Sequence, residues 1–534
     1  MRPIEPENQA AFADGRWHVP AQFNFVRDVV ETLARGSERV GMVFVGASGE
    51  RRELSFAEIA AASGRWANLL RSRGVGASSR IMVLVGKRPE WHAVMLAAMK
   101  CGAIAIPCSE MLRARDLAFR ASHAEAQLIV CERSAEDEIL SMRERVERPL
   151  DVLFLDEAEG LLGVQPDSAP TWNTAASDPA FILYTSGTTK NPKGVVHTNG
   201  YCFATRLQAA DWLCATPADL VWCTAGTGWA KSIWNVLLGP WSQGAAVVLH
   251  EGGFEPAERF ALIEELRPTV VCQAPTEYRL MAKLEGLERY DLSGVHHAVS
   301  AGEPLNPEVI RTFQDSFDLT IHDGYGQTEN TLLVGNYPDM EIRPGSMGRT
   351  AQGHDVRIID DEGVELPRGE EGDIALNGRP PTLFSGYHAA PEETASVFRG
   401  EWYVTGDRGT RDDDDYFWFT GRADDVILSA AYRIGPFEVE SALIEHEAVA
   451  ESAVIGKPDP DRGQIVKAFV VLRAGRVGTE ELARGIQDHV KRVTAPYKYP
   501  REIEFVESLP KTRSGKIRRI ELRRLEEERS QGSA

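Results

Sequence analysis

Apolar and polar positions change rhythm several times along this chain, and the changes mark its parts. Arg80-Ile81-Met82-Val83-Leu84-Val85-Gly86 is a near-continuous apolar run, the pattern of a strand buried on both faces. Trp91 to Met99 then reads as a helix and Ala103-Ile104-Ala105-Ile106-Pro107 as the next strand, a β–α–β succession. The alternation is clearest further on. Ala245 to His250, Thr269 to Gln273, His297 to Ser300 and Leu319 to His322 read as strands. Helices over Pro256 to Leu266, Thr276 to Leu284 and Pro307 to Phe317 separate them, the first stopped by Pro268. Strands alternating with helices predict a mostly parallel sheet covered on both faces.

Ligands of such sheets bind at the carboxyl ends of the strands. Three polar or glycine-rich loops leave there: Ala274-Pro275-Thr276, Ser300-Ala301-Gly302-Glu303-Pro304, and Asp323-Gly324-Tyr325-Gly326-Gln327-Thr328-Glu329. A fourth loop follows the apolar run Ala180-Phe181-Ile182-Leu183. It reads Tyr184-Thr185-Ser186-Gly187-Thr188-Thr189-Lys190-Asn191-Pro192-Lys193-Gly194. Backbone N–H groups, several hydroxyls and a fixed cation are what a triphosphate needs. The spacing is not that of a P-loop, because Lys193 stands between Pro192 and Gly194. A plain Ser/Thr/Gly turn after a strand is the competing reading. The loop joins the other three at one rim only if its strand lies in an adjacent sheet.

From Gly345 to about Phe419, short strands alternate with turns such as Asp361-Glu362-Gly363, which predicts a β-rich subdomain. Asp412 to Asp415 reads as a solvated turn. A boundary falls near Gly421-Arg422-Ala423-Asp424-Asp425. Beyond it Glu438 to His446 and Glu480 to Val493 read as helices and Ala468 to Leu472 as a strand. The tail carries Lys511, Arg513, Lys516, Arg518, Arg519, Arg523 and Arg524. The expected fold is α/β. A large N-terminal domain (1–423) has layered, mostly parallel sheets with helices plus the β-rich subdomain, and a small α+β C-terminal domain spans 424–534.

Composition narrows the function classes. Of 534 residues, 43% are hydrophobic and 26% charged, as in a globular protein. The net charge of −20 argues against nucleic acid as the main partner, though not against an anionic cofactor met by a local basic patch. Seven cysteines lie scattered without a C-x-x-C pair, which suits free thiols in a reducing compartment. No run approaches the roughly 18–20 apolar residues of a membrane span, and Met1 to Ala21 lacks the apolar core of a signal peptide. A cytoplasmic protein is expected; its oligomeric state is open, a homo-oligomer included.

With these motifs in order, the chain resembles the adenylate-forming superfamily of acyl-CoA synthetases, peptide-synthetase adenylation domains and luciferases. Tyr184–Gly194, Ala274–Arg279, Asp323–Glu329, Tyr403–Gly409, Phe419–Glu440 and Pro510–Lys516 carry the likeness, over most of the chain. Tyr432-Arg433-Ile434-Gly435-Pro436-Phe437-Glu438-Val439-Glu440 is most similar to the medium-chain and aromatic acyl-CoA synthetases. The resemblance implies ATP, Mg2+ and coenzyme A. A carboxylate attacks the α-phosphate of ATP to give acyl-AMP and pyrophosphate, and a thiol then expels AMP. It implies that Thr185, Ser186, Gly187, Thr188, Thr189 and Lys193 cradle the β- and γ-phosphates. Lys190, where many relatives have glycine, either adds a cation or faces water. Gly302, Glu303, Pro304, Asp323, Gly324 and Tyr325 resemble the adenine site, with Tyr325 stacked on the purine. Thr328 resembles an α-phosphate contact, Glu329 the magnesium ligand, Asp407 the ribose ligand accepting from both hydroxyls, and Arg422 a further ribose or phosphate contact. Lys516 resembles the catalytic lysine, bridging the attacking carboxylate and the α-phosphate. Asp424 resembles the hinge about which a mobile terminal domain turns between half-reactions. Arg433, Arg462 and the tail cations are candidates for the CoA phosphates.

The acid and the thiol are less determined. Acetate-activating relatives carry tryptophan where this chain has Gly326, so glycine predicts room for a medium-chain, branched or aromatic acid, and Trp229 is expected to line the same pocket. Trp234 reads as core. Lys231 reads either as a surface lysine or as a partner for a polar acyl substituent. Ala431 stands where relatives have glycine, which predicts a slower thiol step and keeps loading of a carrier-protein thiol as the alternative.

Overall fold

Two mostly parallel sheets carry most of the chain, and the apolar runs supply their central strands. The computed structural model describes residues 11–36, 38–185, 192–422, 425–429, 432–459, 462–494, 498–511 and 517–532. The first sheet orders seven strands as Gly386–Tyr387, Lys193–Thr198, Pro179–Thr185, Ile104–Pro107, Arg80–Leu84, Leu128–Cys131 and Asp151–Phe154. The last five are parallel, and the first two are added antiparallel at one edge. The second sheet orders nine: Arg349–Thr350, Leu332–Gly335, Ile321–Gly326, His297–Ala301, Val270–Gln273, Leu220–Cys223, Ala246–His250, Val40–Val45 and Arg51–Ser55. Ile321–Gly326 through Val40–Val45 are parallel, with antiparallel strands closing both edges.

The helix Pro89–Cys101 is buried all along its length from Trp91 onward. A helix apolar on every side must lie between layers. It does: one core joins Val83 and Phe181 of the first sheet, Val247 and Cys272 of the second, and Trp91 and Leu96 of this helix. Proline opens it and Gly102, at φ 69°, closes it. Separate clusters cover the outer faces, around Phe260, Ile310 and Phe313 on one side and Leu117 and Ile139 on the other.

Pro256–Leu266 and Pro307–Phe317 match their expected bounds; each has proline in its first turn and leaves through a left-handed residue, Arg267 or Asp318. The helix expected over Thr276 to Leu284 is Pro275–Met281, because Pro275 takes the first helical position. The strand expected to end at His322 runs on to Gly326, carrying the Asp323–Gly326 motif inside the sheet rather than in a loop.

The β-rich part is an antiparallel sheet of Val356–Ile359, Gly372–Asn377, Trp402–Arg411 and Phe398–Arg399, with Phe417–Arg422 paired to Trp402–Arg411. Asp412 to Asp415 is the expected turn: the Asp412 carboxylate accepts from the backbone N–H of Asp414 and Tyr416 at 3.0 and 2.9 Å. A fourth sheet holds Tyr432–Ile434, Ile427–Ser429, Gly463–Leu472 and Val449–Asp459, with Glu502–Phe505 parallel beside Gly463–Leu472. Helices Pro436–Ile444 and Glu480–Val493 cover it through Val439, Leu443, Ile486 and Val490.

Arg519–Gly532 is a helix, and its cations are engaged. Arg519 reaches Glu440 at 2.6 Å, Arg523 reaches Asp425 at 2.7 Å, Lys511 reaches Glu451 at 2.6 Å, and Arg518 pairs with Glu521. These side chains tie the terminal unit together. Among the described residues no helix is long and apolar enough to cross a membrane.

Candidate active site

The strand Pro179–Thr185 pairs antiparallel with Lys193–Thr198, Thr185 opposite Lys193. The pairing fixes both ends of the hydroxyl-rich loop. Lys193 Nζ lies 4.7 Å from the Tyr387 ring centroid and 3.3 Å from Glu393 Oε2. Ser186, Gly187, Thr188, Thr189 and Lys190 lie outside the described residues.

Two contacts join this hairpin to the second sheet. The His197 Nε2–H donates to the Thr328 carbonyl at 2.7 Å. Burial pushes the imidazole down to about 4, so it is neutral near pH 7, and it stacks on Tyr201 at 3.8 Å. The Phe384 N–H, from the segment leading into Gly386–Tyr387, donates to the Glu329 carbonyl at 2.7 Å. The hairpin that carries Thr185 and Lys193 and the Asp323–Glu329 motif therefore meet at one rim although their strands belong to different sheets. The Tyr387 phenol donates to Glu329 Oε1 at 2.9 Å. Burial raises the Glu329 pKa, and the phenol's hydrogen bond works against that rise.

Asp407 gathers the next group. It lies in Trp402–Arg411 opposite Arg422. Its carboxylate accepts from Tyr325 Oη at 2.6 Å, Gln327 Nε2 at 2.7 Å and Arg422 Nη1 at 3.1 Å. The side chain is buried, and burial lifts its pKa against the pull of Arg422. Gln327 is itself held, donating to the Thr405 carbonyl at 2.9 Å and accepting from Tyr403 Oη at 2.9 Å. Residues from two other motifs converge on this one carboxylate.

Above the strand ends, Gly302 sits at φ 108° with open space where a side chain would go. Glu303 accepts from Arg279 Nη2 at 2.7 Å and from the Thr276 hydroxyl at 3.0 Å, so the Ala274–Arg279 motif braces the Gly302–Pro304 loop. Asp323, opposite Ser300, is buried with Oδ1 unpartnered among the described residues, and burial pushes its pKa up to about 7. Gly324 is packed against Trp212; a Cβ there would come within 2.6 Å of the indole.

The acyl side brings two corrections. A Cβ on Gly326 would lie 1.9 Å from the Thr331 carbonyl oxygen, at a bulge in the pairing with Leu332–Gly335. In this backbone the glycine accommodates a neighbouring strand rather than leaving a pocket wall open. Lys231 is not a surface lysine. Its Nζ donates to the Gln273 and Ala301 carbonyls at 2.7 and 3.2 Å. Burial works against its charge, but Cys272, Cys223, Glu277 and Glu303 together hold its pKa above the usual range. Trp229 caps the short helix that carries Lys231 and is half-buried, its ring 3.2 Å from where a Gly226 Cβ would stand. Trp234 packs against the main core, as read from sequence.

Arg462 lies at the end of the Val449–Asp459/Gly463–Leu472 hairpin, beside Gly463, which pairs with Ser429. Asp424, Ala431, Lys516 and the Arg433 side chain lie outside the described residues. The terminal unit nonetheless touches the rim: Asn306 Nδ2 donates to Ser441 Oγ at 3.2 Å, two residues beyond Pro304.

Gln327, Tyr387, His197 and Arg279 carry this geometry without having been assigned roles from sequence. The first and last lay inside quoted motifs. The other two gave no signal, since only tertiary pairing brings them to the rim.

Residues 30–388 match the AMP-binding enzyme family and residues 438–516 the AMP-binding enzyme C-terminal domain. The chain is 44% identical over 518 residues to the uncharacterized acyl–CoA ligase YtcI of Bacillus subtilis (strain 168), covering 95% of this chain and 97% of that one. It is 40% identical to the mitochondrial acyl-coenzyme A synthetase ACSM3 of Mus musculus, covering 96% and 92%. The crystal structure of the anthranilate CoA ligase AuaEII in complex with anthranoyl-AMP superposes with a TM-score of 0.89 at 31% identity, covering 95% of this chain and 98% of that one. The chain belongs to the AMP-binding enzyme family, as an AMP-forming acyl-CoA synthetase.

Proposed function

We propose that this rim converts a medium-chain, branched or aromatic carboxylic acid to its acyl-AMP and then to its CoA thioester. The acid's carboxylate attacks the α-phosphorus and pyrophosphate leaves; the CoA thiol then attacks the acyl carbon and AMP leaves. The observation that carries the reading is the Asp407 carboxylate, which collects Tyr325, Gln327 and Arg422 on one side of the loop that bears Thr328 and Glu329.

In this reading Asp407 and Arg422 hold the ribose, and Tyr325 with Gly302, Glu303, Pro304, Asp323 and Gly324 holds the adenine. Thr328 meets the α-phosphate, its backbone fixed by His197. Thr185, Ser186, Gly187, Thr188, Thr189 and Lys193 take the outer phosphates. Glu329 suits magnesium: it is a hard oxygen donor, joined through Tyr387 to the strand that begins with Lys193. Magnesium bound there neutralises charge on phosphoryl oxygens. Charge spreads over those oxygens in the transition state, so positioned cations lower the barrier. Lys516 is assigned to the approach of the two anions, Asp424 to the hinge of a terminal domain that begins with it, and Arg433 and Arg462 to CoA. Trp229 flanks the acid. The carrier-protein alternative has no counterpart among the relatives above, all of which bear CoA-ligase or acyl-CoA synthetase names. Seven cysteines with no disulfide among the described residues suit a reducing cytoplasm.

The test is a panel of acids from acetate to decanoate with branched acids, benzoate and anthranilate, incubated with MgATP with and without CoA. Pyrophosphate release should exceed that with acetate for at least one longer or aromatic acid, and mass spectrometry should find its CoA ester. No release with any acid defeats the reading.

A further inference from the structure

We propose that Tyr387 is a positioning residue that sets the two charged ends of the triphosphate site, Lys193 and Glu329, relative to each other; this rests on the nucleotide reading above. Tyr387 belongs to a two-residue edge strand laid on the lysine strand, with Tyr387 opposite Val195 and Gly386 opposite Val196. The Ser385 N–H donates to the Val196 carbonyl at 3.0 Å and the His388 N–H to the Gly194 carbonyl at 2.7 Å. One residue earlier, the Phe384 N–H holds the Glu329 carbonyl. A single short segment thus grips the backbone beside both charged groups.

Tyr387 repeats the arrangement with its side chain. Its ring, 9% exposed and packed edge-on against Phe384 at 4.9 Å, lies under the Lys193 ammonium at 4.7 Å. Its hydroxyl donates to Glu329 Oε1 at 2.9 Å. A phenol that donates fixes the carboxylate's orientation and leaves Oε2 and the second lone pair of Oε1 to a cation. The ring face attracts the ammonium without neutralising it, so the cation stays available to phosphate. Glu393, the lysine's other neighbour, is exposed and free to swing aside when an anion arrives.

The two contacts come apart by mutation. Tyr387→Phe keeps the ring and removes the hydroxyl; Tyr387→Leu removes both. The full-length protein with stoichiometric α,β-methylene-ATP is titrated with Mn2+ by electron paramagnetic resonance, and metal-free binding of the same analogue is measured in EDTA by calorimetry. Tyr387→Phe should weaken Mn2+ binding about five- to tenfold and leave metal-free nucleotide affinity unchanged. Tyr387→Leu should also weaken metal-free binding, by about three- to fivefold. Glu329→Gln serves as reference. If it weakens Mn2+ binding while Tyr387→Phe does not, or if Tyr387→Leu binds metal-free analogue as wild type does, the positioning role is refuted alone. If Glu329→Gln leaves Mn2+ binding unchanged, the assignment of Glu329 to the metal falls as well.

Discussion

Asp407→Asn isolates the carboxylate on which the nucleotide reading turns. An ionised carboxylate offers about four lone-pair positions. Tyr325 and Gln327 occupy two on Oδ2, and Arg422 occupies one on Oδ1. One position remains, so one ribose hydroxyl can donate without displacing a protein group. A second can enter where Arg422, whose side chain is 40% exposed, moves aside. Asparagine keeps the shape and one acceptor. With its oxygen turned to the Tyr325 and Gln327 donors, its amide N–H₂ faces Arg422 and the ribose. The loss is one hydrogen bond to a charged acceptor, about 1.5–3 kcal/mol, or roughly 10- to 150-fold in the ATP dissociation constant. Burial already holds the Asp407 pKa above its usual range, so removing the charge also removes a desolvation cost, and the melting temperature should hold. Calorimetric titration with ATP and with 2′,3′-dideoxy-ATP reads the effect. The variant should lose ATP affinity by that factor and bind the dideoxy nucleotide as wild type does. A loss for ATP smaller than about threefold, or equal losses for both nucleotides, would show that Asp407 does not hold the ribose.

Asp323→Asn tests the buried acid two residues before Tyr325 on the same strand. A folded-state pKa raised from 3.8 to about 7 means that the folded protein holds the proton more tightly than the unfolded chain does. That contribution is complete below the unfolded value and lost as pH rises through about 7. Asp323→Asn should therefore gain stability on wild type between those limits, by up to ~4 kcal/mol, in calorimetric melts at stepped pH; a difference that ignores pH sinks the idea. Lys231→Met should leave the Gln273 and Ala301 carbonyls without their donor at a cost of about 1–3 kcal/mol, lowering the melting temperature, whereas no change would return Lys231 to the surface. Gly326→Ala should cost roughly 1–3 kcal/mol through the Thr331 carbonyl; a variant that melts with wild type would show that the strands separate freely there, and would restore the reading of Gly326 as room for the acid.

How far the sequence could be read depended on whether the deciding interaction was local. Pro256–Leu266, Pro307–Phe317 and Glu480–Val493 were legible to the residue because their ends are set by neighbours in the chain: proline in the first turn of two, a Thr479 cap on the third. Leu220–Cys223 and the Val40–Val45/Arg51–Ser55 hairpin were not, since four to six residues give no period and these strands exist through their partners in the second sheet. The same division runs through the site. Lys193, Glu329 and Asp407 were legible as members of dispersed motifs. Gln327 stood in the quoted motif yet had no role until Asp407 and Tyr403 were seen to frame its amide. Gly326 shows the division within one residue: the motif fixed its place, but which way an added side chain would point depends on the bulge against Leu332–Gly335. Lys231 does the same for burial, because its carbonyl partners come from two other strands. Motif reading thus finds the groups that chemistry requires by type. The groups that orient them, Tyr387 and His197 above all, are chosen by where strands of different sheets meet.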